Sequence, residues 1–247
     1  MFIFLQPVAN LIIDIGNSSL KAAFSEGTQI GEVETYRGGD PLGFIREFAS
    51  KARPDVISVS SVRIFPDSFY KELETLCDKF IHVTGEIDLP LKNMYKTPST
   101  LGADRICAAI AAADLFPQKD ILIFDFGTAV TIDFISAEKE FLGGNISPGL
   151  TTRFRALNQY TQQLPLLDAP EETEAAGTTT KGAIQSGVVL GLIFEIEGYI
   201  KHYPNHIHIF TGGDAIYFAK KLKSSIFVVY NLVLMGLARI ADNYAKS

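Results

Sequence analysis

Two short stretches of the sequence end a run of apolar residues with an aspartate, and a glycine follows two positions later. In the first, NLIIDIGNSS at residues 10–19, these residues are Asp14 and Gly16. In the second, ILIFDFGTAV at residues 121–130, Asp125 occupies the place of Asp14, and Thr128 stands where Asn17 stands in the first. Glycine in such a turn lets the backbone approach a ligand closely, and successive N–H groups form a concave anion site. The pattern therefore predicts two turns that bind phosphate.

The aspartates predict cations beside these phosphates. A carboxylate would repel a nucleotide triphosphate unless a cation lay between them, so Asp14 and Asp125 are expected to hold cations directly or through water. Lys21, on the strand after the first turn, can reach the phosphates as a point charge. A single D-x-G could be no more than a favourable hairpin turn. Two copies, each ending a strand of branched residues, favour the functional interpretation.

A second candidate motif is GADR at residues 102–105, which opens an alanine-rich helix after a long loop. An acidic residue in the first turn of a helix is favoured by the helix dipole alone. The functional interpretation is that Asp104 acts as a general base, with Arg105 beside it to bind an anion. The glycine pairs in residues 141–150 and 210–215 are predicted strand–helix joints that present backbone amides.

The histidines and cysteines carry weaker signals. His206 and His208 alternate on a predicted strand, so they share one face. A metal pair is conceivable, but with no third ligand nearby in sequence an edge strand with polar positions is favoured. The isolated Cys77 and Cys107 are expected to be buried thiols of a reducing compartment.

The surrounding elements indicate an α/β protein built twice on one plan. In the first half, three strands (10–16, 19–25 and 29–36) precede the segments 41–52 (helix), 55–62 (strand), 66–80 (helix), 81–84 (strand) and 102–116 (helix). In the second, three strands (121–127, 129–136 and 138–144) precede helices 147–160 and 178–203, strand 206–210, helix 212–222, strand 225–230 and helix 231–245. We expect two halves, residues 1–117 and 118–247, facing each other across a ligand-binding cleft.

Composition limits the classes of partner. The chain has 247 residues, a formal net charge of −6 and 47% hydrophobic residues. A globular protein is predicted, and without a basic patch neither nucleic acid nor a membrane is an expected partner. The apolar start lacks a basic region and makes a poor signal peptide, so a cytoplasmic location is expected.

Together, DIGNSSLK, GADR, DFGTAVTID, GGNISPG and TGGDA resemble the type III pantothenate kinases, in the order expected for that family. The resemblance implies a fold of the actin-like ATPase superfamily, with duplicated ribonuclease-H-like halves facing across a central nucleotide cleft. It also implies transfer of phosphate from ATP to the primary hydroxyl of pantothenate, the first step of coenzyme A biosynthesis. The alternatives are a kinase for another small alcohol and a non-catalytic nucleotide-binding regulator of the same fold.

The resemblance also implies roles for individual residues. ATP would be bound by Asp14, Gly16, Asn17, Ser18, Lys21 and Thr128. Pantothenate would be bound by Tyr95, Gly102, Ala103, Asp104, Arg105 and Thr180. Asp104 would accept the hydroxyl proton, Asp14 would hold Mg²⁺ and Asp125 would hold the potassium or ammonium ion that the family needs. Thr180 would reach the active site of the partner subunit in a homodimer.

Overall fold

A computed structural model describes residues 9–246, which form two compact units. The first unit takes in the chain up to Pro117, the short segment Glu138–Leu142 and the chain from Asn231 onward. The second unit consists of Gln118–Ala137 and Gly143–Tyr230. The apolar start, which makes a poor signal peptide by its sequence, includes residues 1–8, and these lie outside the described part.

The first unit contains a mixed sheet with helices on both its faces. The strands of this sheet are β1 (Asn10–Ile15), β2 (Leu20–Glu26), β3 (Gln29–Ile30), β4 (Glu34–Tyr36), β5 (Val56–Ser61) and β6 (Lys79–His82). The unit also contains the short strand β7 (Lys92–Asn93), which is not part of this sheet. Its helices are α1 (Pro41–Ser50), α2 (Asp67–Glu74), α3 (Ala103–Leu115) and, at the other end of the chain, α7 (Leu232–Ala245). The strand order is β3-β2-β1-β5-β6, and β4 also pairs with β2.

The second unit repeats this order. Its strands are β8 (Ile121–Phe126), β9 (Ala129–Ile135), β10 (Glu140–Pro148), β11 (Ile207–Gly212) and β12 (Phe227–Val228), and its helices are α4 (Leu150–Tyr160), α5 (Thr180–His202) and α6 (Ala215–Ala219). The sheet runs β12-β11-β8-β9-β10. The strand β10 starts in the segment that belongs to the first unit, where it pairs with β7 in parallel.

Strand order and direction together confirm the predicted duplication. In each sheet the first strand lies in the middle, antiparallel to the strand that follows it and parallel to a later strand that arrives through a helix. Beyond that later strand, the outermost strand on the same side (β6 in the first sheet, β12 in the second) is parallel to its neighbour. Because this arrangement places the ends of β1 and β8 in equivalent positions, the two D-x-G turns lie at equivalent corners of the two sheets.

The compact units differ from the contiguous halves of the sequence prediction. Both divisions separate the chain between Pro117 and Gln118, but α7 belongs to the first unit by its contacts. The cause is visible in the packing, since α7 contacts α3, β1 and β5 of the first unit.

The helices α3 and α7 cross at very short range. A Cβ atom added to Gly236 would lie only 1.9 Å from the backbone oxygen of Cys107. Ten of the thirteen residues of α3 are buried. Cys107 itself is fully buried, as expected, and so is most of Cys77. The close packing of α3 against α7 needs small side chains, which explains the run of alanines in α3.

Several details of the predicted elements are wrong. The predicted helix 66–80 ends at Glu74, because residues from Lys79 onward pair with β5 as β6. The predicted helix 212–222 and strand 225–230 are shorter, at Ala215–Ala219 and Phe227–Val228. The single predicted strand 29–36 is divided into β3 and β4, because Gly31 turns inward and donates its N–H to the carbonyl of Phe24 at 2.9 Å. The strand bearing His208 is not an edge strand, since β11 lies between β12 and β8. The third strand of the second unit continues to Pro148, so its glycines lie inside β10 and not at the joint with a helix.

The helix α5 is long and apolar enough to cross a membrane on length and composition alone. Seven of its residues, from Ile184 to Ile196, are buried in the second unit. A core helix of a globular protein has the same properties, so this helix does not by itself indicate a membrane protein.

Candidate active site

The carboxylate of Asp14 lies between a lysine and a serine at the end of β1. Strand register places Lys21 of β2 on one side and Ser60 of β5 on the other. The three side chains share one face of the sheet because residues directly opposite in adjacent strands point the same way. Asp14 and Lys21 therefore lie side by side on adjacent strands.

Burial raises the pKa of Asp14 from its ordinary value of 3.8 to about 7. The nearby carboxyl of Asp104 adds to the increase, while Lys21 and the Ser60 hydroxyl act against it. The first turn and the GADR motif, which are far apart in sequence, therefore meet at one site. A buried carboxylate of this kind is stabilised by any cation that enters.

The turn that follows Asp14 is short and ordered. Its backbone closes with a hydrogen bond from the N–H of Gly16 to the carbonyl of Ser19 at 2.9 Å. Asn17 and Ser18 are exposed at its tip. The ammonium of Lys21 donates to the side-chain oxygen of Asn231 at 3.2 Å, which anchors it to the start of α7. Asn231 has a left-handed backbone (φ 55°) and uses its side chain for this contact, with no capping bond to the helix.

Asp104 lies in the first turn of α3, as the sequence predicts. One carboxylate oxygen accepts the backbone N–H of Arg105 at 2.8 Å. Burial raises the pKa of Asp104, and the N–H and charge of Arg105 counteract part of that increase. A carboxylate with a raised pKa is a stronger base than an ordinary aspartate, so the environment suits proton acceptance.

The guanidinium of Arg105 is held among aromatic rings. Its central carbon lies 5.8 Å from the centroid of the Tyr95 ring and 5.7 Å from that of Phe141, distances typical of cation–π contacts. Arg105 is only 6% exposed. The predicted substrate residues Tyr95, Asp104 and Arg105 are thus brought together in the first unit, with Gly102 and Ala103 at the start of the same helix.

The loop that carries Tyr95 is fixed by an asparagine. The side chain of Asn93 donates to the carbonyl of Gly85 at 2.9 Å and accepts the N–H of Tyr95 at 3.0 Å. A short 3₁₀ turn at Pro98–Thr100 then leads into α3. The long loop of the sequence prediction therefore has its own hydrogen bonds and a short helical turn.

Asp125, at the end of β8, occupies the position equivalent to Asp14 but has different neighbours. Register places Thr131 of β9 and Thr211 of β11 beside it, where Asp14 has Lys21 and Ser60. Gly212 lies against the carboxylate, because a Cβ at that position would be 2.4 Å from an Asp125 oxygen. Gly212 belongs to the glycine pair of residues 210–215, and its lack of a side chain leaves space for the Asp125 carboxylate.

The second turn is supported from behind by α4. The carbonyl of Thr128 accepts the N–H of Gly149 at 3.0 Å and the hydroxyl of Thr152 at 2.6 Å. The motif GNISPG therefore ends at the N-terminus of a helix packed on the D-x-G turn. Thr128 itself is exposed, which leaves its side chain accessible to a ligand.

Thr180 is exposed at the first position of α5. The preceding residue, Thr179, caps the helix by accepting the N–H of Gly182 at 3.0 Å. The hydroxyl of Thr180 is thus at the surface of the second unit.

Several residues of the site have no motif in the sequence. Ser60 lies beside Asp14 through the parallel pairing of β1 with β5, and Arg63, just after β5, donates to the carbonyl of Gly16. Asn231 and Phe141 come from distant parts of the chain. Only Gly212 and Phe141 lay within stretches that the sequence singled out, and Phe141 was not itself proposed for the site. Strand order, which the sequence pattern leaves open, decides which of these residues meet.

Among residues 9–246 no group of three or more His, Cys, Asp or Glu side chains could hold a metal ion. His208 is a core residue whose ring nitrogen contacts the carbonyl of Tyr203 at 3.0 Å, and burial lowers its pKa. The notion of a histidine metal pair therefore finds no support within the described residues.

The comparisons with known proteins agree with one another. A family model described as type III pantothenate kinase matches residues 10–202. A type III pantothenate kinase from Phocaeicola vulgatus is 43% identical over 236 residues, which cover 94% of this chain and 97% of that protein. One from Cytophaga hutchinsonii is 41% identical over 238 residues, covering 94% and 98%.

A solved structure shows the fold alone. A conserved Campylobacter jejuni protein assigned to the Baf family superposes with a TM-score of 0.65 at 23% identity, covering 96% of this chain and 100% of that one. The duplicated α/β architecture with two sheets is therefore the fold of this protein.

Proposed function

Because the chain belongs to the type III pantothenate kinase family, we propose that Asp104 accepts the substrate's proton while the first D-x-G turn binds ATP. The enzyme transfers phosphate from ATP to pantothenate in coenzyme A biosynthesis. In such transfers the protein mainly positions the reactants and neutralises charge.

The assignment of Asp104 as the base rests on its environment and on the residues around it. It is a largely buried carboxylate with a raised pKa, in the same cluster as Arg105 and Tyr95. A base of this kind can accept the proton of the primary hydroxyl as the oxygen attacks phosphorus. Arg105, with Tyr95 and the start of α3 (Gly102 and Ala103), would hold the pantothenate carboxylate and backbone.

The turn that follows β1 and the turn that follows β8 would each contact the phosphates of ATP. The exposed tip formed by Asn17 and Ser18, the backbone at Gly16 and the ammonium of Lys21 would contact the phosphates, and Thr128 would contribute its hydroxyl. The support is chemical, since these groups are hydrogen-bond donors and one cation placed beside two strand ends.

Asp14 fits a role as the residue that holds Mg²⁺. Magnesium is usually bound in kinases by one or two carboxylates together with phosphate oxygens and waters, so a cluster of three protein ligands is not required. A buried carboxylate whose pKa is raised to about 7 is suited to a divalent cation, which would favour its charged form. When bound, the metal would reduce repulsion between the phosphates and the attacking oxygen.

Asp125 fits the expected monovalent cation, potassium or ammonium. Its register neighbours on β9 and β11 are two threonines, Thr131 and Thr211, which are uncharged and carry hydroxyl groups. If it holds such an ion against the phosphates, replacing potassium by a large organic cation at fixed ionic strength should abolish turnover. Constant ionic strength removes screening as an explanation. Full activity with no potassium or ammonium present would contradict this role.

Thr180 would complete the pantothenate site of a neighbouring subunit in a homodimer. Its exposure at the surface of the second unit supports a role in contact with another molecule. The cytoplasm is the proposed location, and a net charge of −6 argues against nucleic acid and anionic membranes as partners. Residues 1–117 and 118–247 are proposed as the two copies of the duplicated plan.

The substitution Asp104→Asn tests the base. It keeps the size of the side chain but removes its ability to take a proton, so kcat should fall by about 10²–10⁴ while ATP binding changes little. The measurement is steady-state turnover together with the dissociation constant of ATP. Asp114→Asn, at the other end of the same helix, is the matched control and should retain near-normal turnover. An Asp104→Asn enzyme within threefold of wild type would remove Asp104 from the mechanism.

A further inference from the structure

The arginine that follows β5 reaches back to the first D-x-G turn and binds two consecutive carbonyl groups. The Nε atom of Arg63 donates to the carbonyl of Gly16 at 2.7 Å, and its Nη2 atom donates to that of Asn17 at 3.0 Å. The planar fork of a guanidinium suits two such acceptors, whereas a lysine ammonium offers a single point charge.

The segment around Arg63 is itself fixed to the site. The hydroxyl of Ser61 accepts the backbone N–H of Arg63 at 3.1 Å and bonds its carbonyl at 3.0 Å. The N–H of Val62 donates to the carbonyl of Ile15 at 3.1 Å, which extends the pairing of β5 with β1 beyond the end of the strand. Arg63 therefore extends from an anchored backbone, and its half-buried side chain is directed at the turn.

Peptide geometry translates these two bonds into an orientation of the turn's amides. In a planar trans peptide the N–H points opposite to the C=O of the same unit. The carbonyls of Gly16 and Asn17 belong to the same peptide units as the N–H groups of Asn17 and Ser18. Holding the two carbonyls toward Arg63 therefore directs those two N–H groups to the opposite side of the turn.

We propose that Arg63 is a positioning residue for ATP, which sets the two amides of the first turn toward the phosphates. The proposal rests on the assignment of ATP to this turn. It makes a functional unit of three segments, namely the end of β1, the turn and the end of β5. The positive charge of the Arg63 guanidinium beside the two carbonyls also polarises their peptide units, which strengthens the amides as donors.

Two substitutions separate geometry from charge. Arg63→Lys keeps the charge but loses the two-pronged contact, and Arg63→Met keeps the apolar stem alone. Arg53→Met is the matched control, because Arg53 is an exposed arginine of the same unit whose guanidinium pairs with Asp78 at 2.9 Å. Lys21→Met is included to test the ATP site itself.

Each variant is examined by steady-state kinetics, by thermal unfolding and by hydrogen exchange of residues 15–20 without nucleotide. For Arg63→Lys and Arg63→Met we expect the KM for ATP to rise about tenfold or more, with the KM for pantothenate nearly unchanged. Exchange at the turn should become faster in both, whereas Arg53→Met should match wild type in every measurement. Lys21→Met should raise the KM for ATP without faster exchange at residues 16–18.

Several results would overturn the proposal. One is an Arg63→Lys enzyme with normal KM for ATP, since charge alone would then suffice. Another is an increased KM for ATP in Arg63→Met with unchanged exchange at the turn. If Arg63→Met is normal while Lys21→Met is impaired, Arg63 has no such role but the ATP site stands. If Arg63→Met and Lys21→Met both have a normal KM for ATP, the assignment of ATP to this turn is wrong as well. A variant too unstable to assay is replaced by Arg63→Gln and judged by the same measurements.

Discussion

Asp14 and Asp125 show how one strand position supports two different electrostatic environments. Each aspartate is the penultimate residue of a central strand, and each has one neighbour on either side in register. For Asp14 these are Lys21 and Ser60, and for Asp125 they are Thr131 and Thr211. The two carboxylates occupy equivalent positions in their sheets, but their neighbours in register differ.

The raised pKa of Asp14 has a consequence for stability. Between pH 3.8, its ordinary pKa, and about 7, its value in the folded protein, the native state holds a proton that the unfolded chain has released. Increasing the pH through this range therefore lowers the free energy of unfolding, and no further loss occurs above it. Asp14→Asn lacks the ionisation, so it should be more stable than wild type by about 1–4 kcal/mol at pH 8, and by much less at pH 4.

Urea unfolding from pH 4 to 8, without nucleotide and with a chelator present, measures this difference. Glu86→Gln removes an exposed carboxylate of the same unit and should follow the wild-type profile. If wild type and Asp14→Asn lose or gain stability in parallel across the whole range, the site does not suppress the ionisation of Asp14.

At the residue scale the sequence predicts the motif residues but not their supporting neighbours. The D-x-G pair and GADR were recognisable because each is a local pattern. Arg63 is 47 residues from Gly16, and Asn231 is 210 residues from Lys21. Such contacts depend on the order of strands in a sheet, which local spacing does not encode. The same limit applies to Phe141, whose ring supports Arg105 from the start of β10.

At the scale of elements, α3 and α7, which are the last helices of the two predicted halves, pack on each other. The helix α3 carries Asp104 in its first turn, and Asn231, which holds Lys21, immediately precedes α7. Their crossing point is Cys107 against Gly236, the fifth residue of each helix. The position of the base relative to Lys21 thus depends on how closely these helices approach.

Gly236→Ala tests that packing. Its new Cβ would overlap the Cys107 carbonyl, and backbone cannot move aside as a flexible side chain can. We expect the free energy of unfolding to fall by about 1–3 kcal/mol, with reduced turnover because α3 must shift. Gly198→Ala in α5 is the control, since no heavy atom lies within 4 Å of its added Cβ. That variant should be more stable by about 0.5–1 kcal/mol. Equal effects of the two substitutions on chemical unfolding would contradict the close crossing.

Elements with a clear period were predicted well, and those shaped by tertiary contacts were not. The central strands and the helices α1, α3, α4, α5 and α7 follow their sequence patterns closely. The strand 29–36 is interrupted because Gly31 bonds across to Phe24. The strand β11 appeared to be an edge because His206 and His208 are polar, whereas His208 is buried and satisfied by the carbonyl of Tyr203. Polarity of a side chain does not reveal whether the core supplies it with a partner.

At the scale of the whole molecule, the second unit presents apolar surface that suits a second copy of the chain. Large side chains such as Tyr160 (81% exposed) and Phe194 (64% exposed) lie on α4 and α5. Between these helices is a groove of about 580 Å³, lined mainly by apolar residues. Exposed patches of this kind often mark protein interfaces. Thr180 begins the helix that forms one wall of this groove.

A mixing experiment tests whether the active site is shared between two subunits. Asp104→Asn and Thr180→Ala are each expected to impair turnover, and Thr180→Ser, which keeps the hydroxyl, should retain most of it. In a two-fold symmetric hybrid dimer of the two impaired chains, one site collects both defects. The other site combines an intact Asp104 from one chain with an intact Thr180 from its partner.

Random exchange of equal amounts should therefore restore about a quarter of wild-type sites, because half of the dimers are hybrids and each has one intact site. If Thr180 serves its own chain, every site keeps one defect and mixing restores nothing. Native mass spectrometry verifies that hybrids form, and turnover is followed during exchange. Activity that stays at the average of the two variants while hybrids accumulate would show that each chain builds its own site.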